Sequence, residues 1–114
     1  MGKRQERDKP SHSLDEAKLL AQGGKVVVNK RARQFIANRH GRYDISAFIS
    51  ELFGAISPSN FVKSMELEKI PGIWADVYSG FEYEGENWYV KFFIDAEGTA
   101  RLNVMSANWD GYIH

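Results

Sequence analysis

The sequence predicts an α+β fold in which N-terminal helices pack on one face of an antiparallel sheet. Before residue 60 the hydrophobic residues recur at helical spacing, whereas from Phe61 onward they alternate with a period of about two. The alternating segments are separated by short turn sequences, and strands joined by short turns pair antiparallel. Helices followed by such a meander leave one sheet face uncovered, and we expect that face to accept a ligand.

The composition fits one domain in a reducing compartment. The chain has 114 residues, 43% of them hydrophobic, which is enough for one core but not for two. Cysteine is absent, which excludes a disulfide framework, a thiol nucleophile and a cysteine zinc site. No apolar run approaches the roughly 18 residues of a membrane span, and the start MGKRQERDKP lacks the apolar core of a signal peptide. We expect a soluble, cytoplasmic protein.

Charge is distributed unevenly, although the formal net charge is zero. Residues 1 to 42 contain eleven Lys or Arg against four Asp or Glu, a balance of +7, and the remainder carries −7. A basic half could attract RNA phosphates, because the local field matters more than the total charge. Charged helix faces that keep a small protein soluble would give the same pattern, and both interpretations stay open.

The beginning of the chain predicts a tail followed by a helix. Residues 1 to 12 are polar and basic without periodicity, so we expect a flexible basic tail ahead of a single domain over residues 13 to 114. Ser13 and Glu16 have the spacing of a capping box at a helix start. Glycines at residues 23 and 24 should end this helix. Its inward stripe consists of Leu14, Ala17, Leu20 and Ala21.

A short strand and two more helices are expected next. Residues 25 to 28 are β-branched and strand-like. Asn29 should cap a helix over about residues 30 to 39, with Gly41 as its stop, and Asp44 should cap a third helix. The inward stripe of the third helix follows the spacing of a core-facing surface and consists of Ile45, Phe48, Ile49, Leu52 and Phe53.

Four strands should follow a short turn at Ser57 and Pro58. They are predicted near residues 61 to 67, 73 to 83, 87 to 95 and 99 to 106, with turns at 71–72, 84–87 and 96–98. In the third of these strands, near residues 87 to 95, successive side chains should point to opposite faces of the sheet. Trp88, Val90, Phe92 and Ile94 should face the helices, and Tyr89, Lys91 and Phe93 the open side.

In the first predicted strand the odd positions contain one ammonium group among apolar side chains. These positions are Phe61, Lys63, Met65 and Leu67, which should share a face. A lysine in such a file either extends to solvent or serves a functional site, and the alternation alone does not decide between them.

Two segments in this region resemble a known family. FVKSM at residues 61 to 65 and IWADVY at residues 73 to 78 closely resemble the FYKSM and IWQDVY segments of the MqsR family. The resemblance extends from SHSLDEAKLLAQGGKVVVNKRA upstream to NWYVKF downstream, over roughly residues 10 to 94. It implies a RelE-like fold and a bacterial toxin that cleaves single-stranded mRNA without a cofactor and is restrained by a cognate antitoxin.

The resemblance also assigns catalytic positions. The family lysine of FYKSM corresponds to Lys63, and the tyrosine of its following strand corresponds to Tyr89. The family glutamine falls at Ala75 and the last-strand lysine at Ser106. Lys91 or, with a weaker claim, Arg101 could replace the missing cation.

Aromatic residues are candidate platforms for unpaired bases. Trp74, Tyr78 and Trp109 could stack on bases, although such residues near strand ends also occur in cores and partner interfaces. The three histidines are not spaced as metal ligands, so we expect no metal site, and the family resemblance implies that no cofactor is used.

Two functional hypotheses follow. The first is an endoribonuclease toxin, an mRNA interferase of a type II toxin–antitoxin system. The alternative is a catalytically weakened or inactive MqsR-like domain that binds an antitoxin or RNA without cleavage, because Ala75 and Ser106 stand at two of the family's catalytic positions.

Overall fold

Three α-helices cover one face of a six-stranded sheet in the part of the chain that the computed structural model describes, residues 5–40, 44–95 and 100–109. The elements are β1 (Glu6–Arg7), α1 (Leu14–Gln22), β2 (Val26–Val28), α2 (Lys30–His40), α3 (Ile45–Gly54), a short 3₁₀ turn (Pro58–Asn60), β3 (Phe61–Glu66), β4 (Trp74–Tyr83), β5 (Glu86–Asp95) and β6 (Arg101–Trp109). The strand order is β1-β3-β4-β5-β6-β2. All neighbouring strands pair antiparallel except β2 and β6, so the predicted α+β class is confirmed.

The predicted helix caps form. The Ser13 hydroxyl accepts the Glu16 amide at 3.1 Å, and the Asp44 carboxylate accepts the Ala47 amide at 3.1 Å. Asn29 caps α2 in the same way. Each cap satisfies an amide that has no partner within its helix. The expected stop at Gly41 and the turn at residues 96–98 lie outside the described residues.

The core forms where α3 meets the helix-facing side of β5. Phe48 lies 5.6 Å from Trp88, and Phe53 lies 5.2 Å from Phe92, measured between ring centroids. The predicted helix-facing set on β5 is confirmed, since Trp88, Val90 and Phe92 are buried and Ile94 packs against the same cluster. The other side of β5 therefore belongs to the sheet face without helices, the open face.

Tight turns and bulges set the register of the sheet. Glu84 and Gly85 both have positive φ, 51° and 80°, and form a two-residue hairpin turn of the type that matches strand twist. Gly80, at φ 77°, lies in an irregularity of β4 between Ser79 and Phe81. Residues other than glycine rarely adopt a backbone with positive φ, which explains why glycine occupies the bulge.

A bulge in β3 corrects the sequence prediction for this strand. Phe61 pairs with Tyr78 but Lys63 pairs with Val77, so Val62 is an extra residue in the ladder. Phe61 consequently faces the helix side, where its ring contacts Tyr78. The prediction that Phe61 shares a face with Lys63 was wrong, because the bulge breaks the alternation.

An edge strand lies within the segment predicted as a tail. Glu6–Arg7 pairs antiparallel with β3, with Glu6 opposite Met65 and Arg7 opposite Ser64. This strand pairs through main-chain hydrogen bonds, which do not depend on side-chain type, so its sequence shows no hydrophobic alternation from which it could be predicted. None of the described helices is both long and apolar enough to cross a membrane.

Candidate active site on the open sheet face

A row of side chains crosses four strands of the open face. Lys63 on β3 pairs with Val77 on β4, Val77 pairs with Lys91 on β5, and Lys91 pairs with Ser106 on β6. We call these residues the cation row. Adjacent strands are about 4.8 Å apart, so the main chains of the two lysines are about 10 Å apart, and their long side chains can converge on one anion.

Tyr89 lies on the same face as the cation row. It precedes Lys91 by two positions on β5, which places it about 7 Å away along the strand. Its register partners are Ser79 on β4 and Asn108 on β6. The register thus places Lys63, Tyr89, Lys91 and Ser106, all candidates from the sequence, on one face of the sheet.

The open face around Val77 is lined by buried apolar residues. Met65 pairs with Ala75 on this face, and both are buried, as is Val77. We call these three residues the apolar floor. A nonpolar floor lowers the local dielectric, which strengthens the attraction between an ammonium and a phosphate. Ala75, where the resemblance places a glutamine, is 0% exposed and supplies no polar atom.

Lys63 has an acidic partner that the sequence did not predict. Its ammonium lies 2.7 Å from Glu6 Oε2, with side-chain exposures of 38% and 50%. Exposed pairs of this kind are worth about 0 to 1 kcal/mol, so Lys63 can exchange this contact for another anion at small cost. Glu6 was missed because the N-terminal residues carry no pattern that places them beside β3.

The chain from Gln5 to His12, here the anchor segment, is fixed to the sheet through Asp76. This carboxylate is 0% exposed and accepts the main-chain amides of Ser11 and His12 at 2.9 Å each. Hydroxyls of Ser11 and Ser64 share a hydrogen bond of 2.6 Å. The His12 Nε2 donates to the Trp74 carbonyl at 2.7 Å. The anchor segment thus contacts both β3 and β4.

Two of the aromatic candidates face away from the cation row. Tyr78 is 1% exposed and stacks on Phe92 at 5.8 Å, so its interpretation as a base-stacking platform was wrong. Burial and the neighbouring Asp76 carboxylate raise the pKa of Tyr78 to about 12. Trp74 also lies on the helix side, where the Arg7 guanidinium sits 3.5 Å from its ring centroid. Both aromatics stabilise the fold or the anchor segment.

The remaining candidates lie at the ends of β6. Arg101 is exposed and pairs with Asp95, four residues beyond Lys91 on β5, so it is about 13 Å from the cation row along the strand. Trp109 is opposite Trp88 in the ladder, and its side chain lies outside the described part of the structure.

These features define a small α+β protein with paired cations above an apolar floor on its open sheet face. A family model described as "Motility quorum-sensing regulator, toxin of MqsA" matches residues 9–107. The chain belongs to this family of toxins from toxin–antitoxin systems. No curated protein matches the chain. The matched range includes the cation row and Tyr89 but begins after Glu6.

Proposed function

We propose that this toxin is a metal-independent endoribonuclease that cleaves single-stranded mRNA in the cytoplasm and is restrained by a cognate antitoxin. The observation that supports this most directly is the cation row, with Lys63 and Lys91 on either side of Val77. Membership of a toxin family supports the antitoxin partner.

The proposed reaction is transesterification at a phosphodiester. The 2′-hydroxyl of the RNA gives its proton to a base and its oxygen attacks the adjacent phosphorus. Negative charge develops on the phosphoryl oxygens, the bond from phosphorus to the 5′-oxygen breaks, and the 5′-oxygen leaves with a proton from an acid. Lys63 and Lys91 stabilise the developing charge, which the apolar floor makes more effective. Tyr89 donates its phenolic proton to the 5′-oxygen. The products are a 2′,3′-cyclic phosphate and a 5′-hydroxyl.

The test is cleavage of a long defined RNA by the purified protein, with and without a chelator, followed by mapping of the new ends. Lys63→Ala should lower the rate by at least about a hundredfold, the usual scale for an electrostatic or acid–base residue. Tyr89→Phe should lose less, since only a hydroxyl is removed. Lys69→Ala is the matched control, because Lys69 is an exposed lysine in the loop between β3 and β4.

The alternative function is a domain that binds an antitoxin or RNA without cutting it. It is favoured by the absence of a polar atom at Ala75 and of a cation at Ser106. Wild-type protein that binds RNA yet produces no new ends, and whose expression leaves growth unaffected, would support this alternative. Chelator-resistant cleavage that disappears in Lys63→Ala would exclude it.

A further inference from the structure

We propose that Glu6 is the general base of the cleavage reaction, accepting the proton of the RNA 2′-hydroxyl. This inference rests on the proposed endoribonuclease function and adds a catalytic group outside the range that the family model matches. Lys63 and Lys91 in the cation row supply positive charge, and Tyr89 on the same face supplies a proton donor. Transesterification also requires a general base, and a carboxylate can serve as one.

Glu6 is placed beside the reacting groups by strand register. It pairs with Met65, so its side chain projects from the open face next to Lys63, which is two residues along on β3. Such diagonal neighbours are about 7 to 8 Å apart at their main chains, a distance that Glu and Lys side chains span together. The ion pair of 2.7 Å shows that they do.

Other described carboxylates are less suitable. Asp95 is about 13 Å from Lys91 along β5. Glu82 pairs with Asn87, next to the hairpin turn at the far end of β4. Asp76 is buried on the helix side and already accepts two main-chain amides. Glu6 therefore lies nearer the cation row than either Asp95 or Glu82 does.

The anchor segment fixes the position of Glu6. The Glu66 amide donates to the Gln5 carbonyl at 3.0 Å, just before Glu6. Arg7, immediately after it, covers the Trp74 ring on the other side of the sheet. These contacts hold the main chain on both sides of Glu6, which limits where its carboxylate can lie and favours proton transfer from a positioned substrate.

The ion pair with Lys63 connects proton transfer to phosphate stabilisation. Lys63 contacts Oε2, and a carboxylate has a second oxygen to accept the 2′-proton. When Glu6 takes that proton it becomes neutral, and its attraction for the ammonium falls. Lys63 is then available to the phosphoryl oxygens as their negative charge grows, so the stabilising contact strengthens in the transition state. Tyr89 protonates the leaving 5′-oxygen, and both protons are accounted for.

The test uses Glu6→Gln, which keeps the shape and removes the base. At saturating RNA the cleavage rate should fall by at least about a hundredfold, while the affinity for RNA stays equal or increases. Glu6→Asp, which retains a carboxylate on a shorter stem, should be intermediate.

Glu82→Gln is the matched control, because Glu82 is a carboxylate on the same face but away from the cation row. This variant should cleave RNA at the wild-type rate. If wild-type protein cleaves and Glu6→Gln cleaves equally well, the assignment of Glu6 is overturned and the endoribonuclease function stands. Faster cleavage with tighter binding by Glu6→Gln also overturns it, and shows that Glu6 competes with phosphate for Lys63. If wild-type protein makes no new ends, the function and the assignment both fail.

Discussion

Replacement of Phe92 tests the packing of the helices on the sheet. Phe92 is 0% exposed, and its ring contacts those of Phe53 at 5.2 Å and Tyr78 at 5.8 Å. Burial of roughly 150 Å² at about 25 cal/mol per Å² corresponds to about 4 kcal/mol. Ala keeps only the first side-chain carbon and leaves a cavity, so Phe92→Ala should cost about 3 to 5 kcal/mol.

Urea unfolding followed by far-ultraviolet circular dichroism measures this loss. With a slope of about 2 kcal/mol per M, the midpoint should fall by about 2 M. Phe93→Ala is the matched control, because Phe93 is a half-buried phenylalanine on the opposite face of β5. This variant should lose clearly less free energy of unfolding than Phe92→Ala. If Phe92→Ala does not fold, Phe92→Leu provides a milder change. A loss below about 1 kcal/mol for Phe92→Ala, or an equal loss for Phe93→Ala, would refute the assignment of faces.

Four further predictions concern other parts of the molecule. Because the folded pKa of Tyr78 is about 12 against an ordinary 10.0, the contribution of this group to stability should be constant below pH 10 and fall by about 2 to 3 kcal/mol as the pH rises to 12. Tyr78→Phe should remove that part of the pH dependence in urea titrations. Asp76→Ala leaves two amides without their charged acceptor and should cost about 2 to 5 kcal/mol by the same assay, more than Asp76→Asn. Arg31→Ala and Arg33→Ala should each reduce the salt slope of RNA binding by about one unit if these groups contact phosphates, and unchanged slopes would place RNA on the open face alone. Ala75→Gln inserts atoms into a fully buried position and should lower the free energy of unfolding by about 1 to 3 kcal/mol. Its cleavage rate should therefore be measured at a temperature where thermal melting shows that the variant is folded. A cleavage rate above that of the wild type would indicate a dormant site.

Local interactions made the helical half of this fold predictable. Ser13 and Asp44 cap helices through amides three residues away, and such contacts are visible in the sequence as spacing. The stripe of α3 follows from helical geometry for the same reason. By contrast, β1 pairs with a strand more than fifty residues later through its main chain, and main-chain pairing leaves no mark on side-chain pattern.

The candidate site was predictable residue by residue but not as an arrangement. Alternation placed Tyr89 and Lys91 on the open face, and the family resemblance selected Lys63. Their alignment with Ser106 depends on a register shift between Lys91 and Phe92 that admits an extra residue in β6. No local sequence rule fixes that shift. Glu6 depends on β1, so it could not be placed beside Lys63 before the sheet was known.

The parallel pairing of β2 with β6 has a consequence for synthesis on the ribosome. Val28 pairs with Val104, and β6 lies between β5 and β2, so the latest of the described strands along the chain connects β2, at one edge, to the rest of the sheet. Leu102 and Val104 are buried in the core, which a nascent chain lacking β6 cannot complete. Translation that stops after Asp95 should therefore yield an inert, protease-sensitive fragment, and a fragment that resisted limited proteolysis would contradict this. A toxin built in this way can fold, and therefore act, only after the ribosome has translated β6.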